Sequence, residues 1–268
     1  MAASVAYGVS FLLLAFRRRR NTLRPGLRVR TLAFAVVVHA CFMALRGVSA
    51  GRPPFMERVE LLSWFALCCA LMCLVGSRWF RSTFVTSAGV LAAFLTTAYL
   101  CLSFEYVRLP CLSVTKVFLV WWPGFSVPLA FAALVLAYAA QLRGLPGLGS
   151  LEKQRTRLPM SSAPDATAFL SLQLVRFAYP LLASGLLAFG IGCLQIASRG
   201  WFWQRSIAAQ LFVLVACTII LHLSASRPAS VTRIFMAYSA AFCGVVVSVL
   251  SFDLPQGLLR GLGLERLP

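Results

Sequence analysis

Residues 59–77 read VELLSWFALCCALMCLVGS, a run in which Glu60 is the one charged residue. A block of about 18 or more apolar residues is long enough to cross the ~30 Å hydrocarbon core of a bilayer as an α-helix. Comparable blocks recur along the chain, so this pattern decides the fold class.

The sequence contains eight such blocks, which are separated by short stretches of charged, polar, Gly and Pro residues. The first two are short for the hydrocarbon core and are expected to recruit flanking residues. The sixth is long and is expected to tilt or to kink at Pro180. The predicted fold is an all-α polytopic transmembrane bundle of about eight helices. The blocks are roughly Ala2–Phe16, Thr31–Leu45, Val59–Ser77, Thr83–Phe104, Val117–Leu142, Phe169–Ala197, Ser206–Leu223 and Val231–Phe252.

The composition excludes an ordinary soluble domain. Hydrophobic residues make up 60% of the 268 residues and charged residues only 12%, and the mean hydropathy is +0.85. A soluble domain of this length needs far more polar surface to cover its core. We expect a multi-pass protein of a bacterial inner membrane or an organellar membrane, with the lipid bilayer as its first partner.

The net charge of +18 does not indicate nucleic acid, because Arg residues sit singly or in short clusters between apolar blocks. Such charges fix membrane topology. With the N-terminus outside, the inner loops hold fifteen Lys and Arg and the outer loops hold nine. The excess predicts that both termini lie outside. The apolar run before Arg17–Arg20 has the wrong order for a secretory signal, so it is predicted to be the first spanning segment.

The chain is predicted to form a single transmembrane domain over residues 1–268. A five-helix part covers about residues 1–142, and a three-helix part covers about residues 166–268. The inner loop 143–165, rich in Gly, Pro and Ser, joins them and is too short and broken to be a soluble domain.

Soluble-enzyme signatures are missing: the sequence has no Gly-rich phosphate loop, nucleophile elbow or zinc motif. Eight of its nine cysteines fall inside apolar blocks, where they are interpreted as small packing residues. The seven acidic residues are too scattered for paired-carboxylate chemistry.

Two histidines are the main candidates for chemistry. His39 lies in the second block, and His222 closes the seventh. A His inside a span is energetically unfavourable and is by default a functional candidate, and neutral imidazole is a usual ligand of haem iron. In one interpretation both histidines ligate a haem. In the other, each forms hydrogen bonds with a neighbouring helix, or His222 simply reaches the inner surface.

An aromatic loop is the second candidate. Trp201, Phe202 and Trp203 are consecutive between the sixth and seventh blocks. Aromatic residues at a membrane boundary usually form an interfacial belt. Three adjacent rings also make a flat apolar shelf for a planar macrocycle, with Arg199 and Arg205 near enough for its propionates.

The order of features resembles the CcsA/ResC/HemX-like cytochrome c assembly family of haem-handling membrane proteins. An early membrane helix carries His39, and an acidic, aromatic helix entry follows over residues 55–64, which read FMERVELLSW. A short basic turn, RWFRS over residues 78–82, comes next.

The similarity continues in the second half of the chain. Residues 172–182 read LQLVRFAYPLL and look like the helix before the family's tryptophan-rich W-x-W-D segment. Residues 201–204 read WFWQ and match that segment in the first three places. The next helix ends in His222, where the family also carries a membrane His.

The resemblance implies a haem-binding or haem-handling protein that acts as an assembly or regulatory component. Haem b is the implied cofactor, with His39 and His222 as metal ligands and Trp201, Phe202 and Trp203 as the cofactor shelf. Other cytochrome assembly or membrane-complex subunits are the implied partners.

The chain also departs from the family pattern. Gln204 replaces the acidic residue of the tryptophan-rich segment, and the two regions in which the family's haem synthases carry outer-side His read WWPGFS (121–126) and SFDLP (251–255). Synthase activity is therefore not implied. Two rival interpretations stand: a haem-free accessory subunit of a larger membrane complex, and a small-solute transporter. Neither inverted repeats nor paired broken helices, as expected of a transporter, are found in the sequence.

Overall fold

A computed structural model describes residues 2–15, 25–50, 58–76, 83–102, 114–144, 163–196, 205–225 and 231–250. Within these ranges every residue is helical, which confirms the all-α class. The helices are α1 (Ala2–Ala15), α2 (Pro25–Ala50), α3 (Arg58–Gly76), α4 (Thr83–Leu102), α5 (Val114–Gly144), α6 (Ala163–Ile196), α7 (Arg205–Ala225) and α8 (Val231–Leu250).

Seven of these helices, α2 to α8, are long and apolar enough to cross a membrane. The protein is thus a multi-pass helical membrane bundle. Helix α1 is apolar but has only 14 residues, or about 21 Å at 1.5 Å per residue. That length falls short of a ~30 Å core, as the sequence predicted for the first block.

Helix α5 lies at the centre of the bundle because four other helices pack on it. Its most extensive contact is with α6, and it also packs on α3, α4 and α8. Its buried face is rich in alanine, including Ala130, Ala133 and Ala137, which lets neighbouring backbones come close. The predicted five-helix and three-helix parts therefore meet along α5 and α6.

Two prolines, Pro123 and Pro128, lie inside α5, and Pro180 lies inside α6. Proline has no backbone N–H, so it leaves the carbonyl four residues earlier without its helical donor. In α5 these interruptions fall beside Trp121, Trp122 and Phe125, where side chains from α3 and α6 approach.

Candidate functional site

His39 lies halfway along the spanning part of α2 and is only 2% exposed. The polar groups of the imidazole would be unfavourable in hydrocarbon unless other groups in the protein satisfied them. Helices α1 and α3 both pack on α2 and supply those groups.

Both ring nitrogens of His39 have partners. The hydroxyl of Tyr7, on α1, lies 3.0 Å from Nδ1, and Oγ of Ser63, on α3, lies 2.7 Å from Nε2. The Tyr7 ring also meets the imidazole edge-on, with centroids 5.6 Å apart. Because both hydroxyls can donate or accept, the network accommodates either tautomer of a neutral imidazole. One side chain thereby connects three helices.

An ion pair lies on the same helices, two turns from His39 on α2 and one turn from Ser63 on α3. Nε of Arg46 donates a hydrogen bond of 3.0 Å to Oε1 of Glu60. The Glu60 side chain is fully buried, and that of Arg46 is 14% exposed. Glu60 and Ser63 are three residues apart and share a face of α3, so the ion pair and the His39 network form a continuous polar strip between α2 and α3.

His222 has different surroundings. It is exposed near the end of α7, a helix that packs on α6 and α8, whereas α2 packs on α1 and α3. His39 is ten residues from Val29, where its span begins, and His222 is three residues from Ala225, where its span ends. By helix rise these positions are about 15 Å and about 5 Å from the same predicted boundary. The two histidines therefore lie at different predicted depths, on helices with different packing partners.

The other predicted cofactor residues, Trp201, Phe202 and Trp203, lie outside the described residues. Within the described ranges, no group of three or more His, Cys, Asp or Glu is arranged to hold a metal ion. Cys68, Cys69 and Cys73 are buried in the apolar core, the environment expected of packing residues.

An aromatic cluster that the sequence analysis did not predict joins α3, α5 and α6. Trp64 stacks on Phe125, with centroids 5.2 Å apart, and its indole N–H donates to the Phe125 carbonyl at 3.1 Å. The indole N–H of Trp122 donates to Ser184 Oγ at 3.2 Å. The Trp122 ring within this apolar block was the available signal, since a buried indole N–H usually finds a hydrogen-bond partner.

Comparison with protein-family models and with curated proteins finds no match to this chain.

Proposed function

We propose that this chain is a haem-handling membrane protein of the cytochrome c assembly type and that His39 is its haem ligand. The observation that carries the proposal is a buried imidazole in the middle of a spanning helix, oriented through Nδ1 by Tyr7. A hydrogen bond at one ring nitrogen is the usual way of orienting the other toward a metal. A haem held by His39 would supply a redox-active, planar iron complex to the membrane interior.

The residues around His39 fit this role on one condition. Nε2 is the ligating nitrogen, and in the described structure it faces Ser63 Oγ at 2.7 Å. Ser63 must therefore give up its bond before Nε2 binds another group. The Ser63 hydroxyl can turn to another acceptor, and α3 must also move away from Nε2 to admit a planar macrocycle.

Shared ligation with His222 stays a prediction. Two axial imidazoles on one iron must lie at similar depth in the membrane. By helix rise, the predicted depths of His39 and His222 differ by roughly 10 Å. The proposal accordingly rests on His39 alone and does not assign the second axial position.

The test is an absorbance spectrum in the Soret region, taken on protein purified from haem-replete membranes. We expect a Soret band in the wild type and its loss in His39→Ala. Ser63→Ala should keep or strengthen the band because it frees Nε2. Cys41→Ala, two residues along the same helix on its exposed face, is the matched control. A colourless wild-type protein would overturn the proposal.

One observation favours a second candidate, a haem-free accessory subunit of a larger membrane complex. Both nitrogens of His39 are already satisfied within the protein, so the imidazole requires no cofactor for its burial. In that case the purified protein is colourless, and His39→Ala lowers only the thermal unfolding midpoint. The two candidates thus differ in the spectrum of the same sample.

A further inference from the structure

An open groove with a volume of about 340 Å³ runs between α7 and α8 on the surface of the bundle. All but one of its lining side chains are apolar, and the exception is Arg233 at one end. The residues that matter for its shape are Phe212, Ala216, Ile219, Met236 and Ala240.

Side-chain size explains why a groove forms here. Ala216 and Ala240 are small, whereas Phe212 and Met236 beside them are large and exposed, Met236 by 64%. Beyond Ala240 the two helices come close: a Cβ at Gly244 would lie 2.6 Å from Cγ2 of Val213 and 3.0 Å from Cδ1 of Phe212. This contact closes one end of the groove, and the other end runs towards Arg233.

The length of the groove follows from the antiparallel packing. The lining residues run over 212–219 on α7 and over 233–240 on α8. Seven residues of helix rise about 10 Å, which is about a third of a ~30 Å hydrocarbon core. The groove therefore lies within the leaflet at whose boundary α7 ends and α8 begins, with Arg233 at the end nearer that boundary.

Polar side chains mark this boundary end. Arg233 is exposed in the first turn of α8, and His222 is exposed on the last turn of α7. His222 follows Ile219, a lining residue, by three positions and so shares its face of the helix. The apolar groove thus ends at a guanidinium, with an imidazole on the adjacent helix turn.

We infer that this groove binds one acyl chain of an anionic phospholipid, whose phosphate contacts Arg233. The apolar lining matches an acyl chain, and the groove lies within one leaflet with its cationic end towards the headgroups. Guanidinium binds phosphate through paired N–H donors, and a cationic residue near the headgroup layer favours anionic lipids. The inference does not rest on the proposed haem function.

The test measures retained lipid by mass spectrometry. The protein is extracted in mild detergent from vesicles of equal phosphatidylcholine and phosphatidylglycerol. Arg233→Gln should lower the retained phosphatidylglycerol about fivefold relative to phosphatidylcholine. Ala240→Leu, which fills the groove, should lower retention of both lipids. The matched controls are Arg176→Gln, an exposed arginine on α6, and Ala208→Leu, an exposed alanine on α7 outside the groove.

Unchanged lipid retention in Ala240→Leu would overturn the inference. A difference in the molecular mass of the purified particle between Ala240→Leu and the wild type would also overturn it, because the groove would then hold a second copy of the chain. Loss of a Soret band in Ala240→Leu would assign the groove to haem and would overturn it as well. A colourless wild type that still retains phosphatidylglycerol through Arg233 would overturn the haem proposal and would support the lipid-binding inference.

Discussion

Gly89, on α4, lies against both α3 and α5. A Cβ at this position would collide with Sγ of Cys73 on α3 and would lie 2.7 Å from Cδ2 of Leu136 on α5. Both neighbours are buried in the core, so neither has space to move away. The residue therefore sets how closely three helices approach.

Gly89→Ala should destabilise the protein by about 1–3 kcal/mol, the usual range for overpacking a close-packed core. Gly190→Ala is the matched control, because a Cβ there meets nothing within 4 Å. The measurement is the thermal unfolding midpoint in detergent. Equal midpoints for the two variants would show that Gly89 is not a tight contact.

Among single residues, the sequence predicted His39 as a candidate functional residue but did not predict its hydrogen-bond partners. A polar residue in an apolar block is conspicuous, whereas Tyr7 and Ser63 are ordinary members of their blocks. They lie 32 and 24 residues away from His39 in the chain. No local pattern reports a contact of that range, because it depends on how the helices pack.

Among the elements, α5 shows how a helix with internal prolines is stabilised by its neighbours. Pro128 removes the backbone donor for the carbonyl of Gly124, and Trp64 of α3 donates to the adjacent carbonyl of Phe125. Trp64 also stacks on the Phe125 ring. One indole thus contributes both a hydrogen bond and packing area where α5 is interrupted.

A substitution series at Trp64 separates these two contributions. Trp64→Phe keeps a ring for stacking but loses the N–H, so it should cost about 0.5–1.5 kcal/mol. Trp64→Leu loses both and should cost more. Unfolding midpoints should fall in the order Trp, Phe, Leu. A Phe variant as stable as the wild type would indicate that the hydrogen bond contributes nothing to stability.

The helix boundaries were less predictable than the helices themselves. The second block was predicted over Thr31–Leu45, but α2 runs over Pro25–Ala50. Arginines were read as breaks between blocks, yet Arg30 is exposed and lies within the helix, as long side chains that reach for polar surroundings do. Arg46 remains helical as well, paired with Glu60. Flanking residues were thus recruited, as the short second block required.

For the whole molecule, the orientation in the membrane is predicted from the distribution of Lys and Arg. With α1 counted as a span, both termini are predicted to lie outside and the loop 143–165 inside. In a cysteine-free background, Ser161→Cys should react with an impermeant maleimide only after the membrane is opened. Ser49→Cys, near the opposite end of the bundle, is the control and should react in intact membranes. Labelling of Ser161→Cys in intact membranes would reverse the orientation.

The fold class was predictable, and the packing order was not. A spanning helix is specified by the length of its own apolar block, so each helix could be found independently. The central place of α5 depends on contacts with α3, α4, α6 and α8. Those contacts follow from the shapes of small residues such as Ala130 and Ala137, which hydropathy does not distinguish from other apolar residues.

The order of synthesis puts Arg46 in the translocon before Glu60 has left the ribosome. An arginine costs about 2.5–3.5 kcal/mol at the centre of an inserting helix and less towards its ends. Glu60, 3.0 Å from Arg46 in the folded protein, offsets that cost only when α3 follows. The hairpin of α2 and α3 should therefore insert as a unit.

A reporter fused after residue 57 should insert less efficiently than one fused after residue 76, and Arg46→Ala should remove the difference. Equal insertion of the two fusions would mean that α2 carries its arginine across unaided.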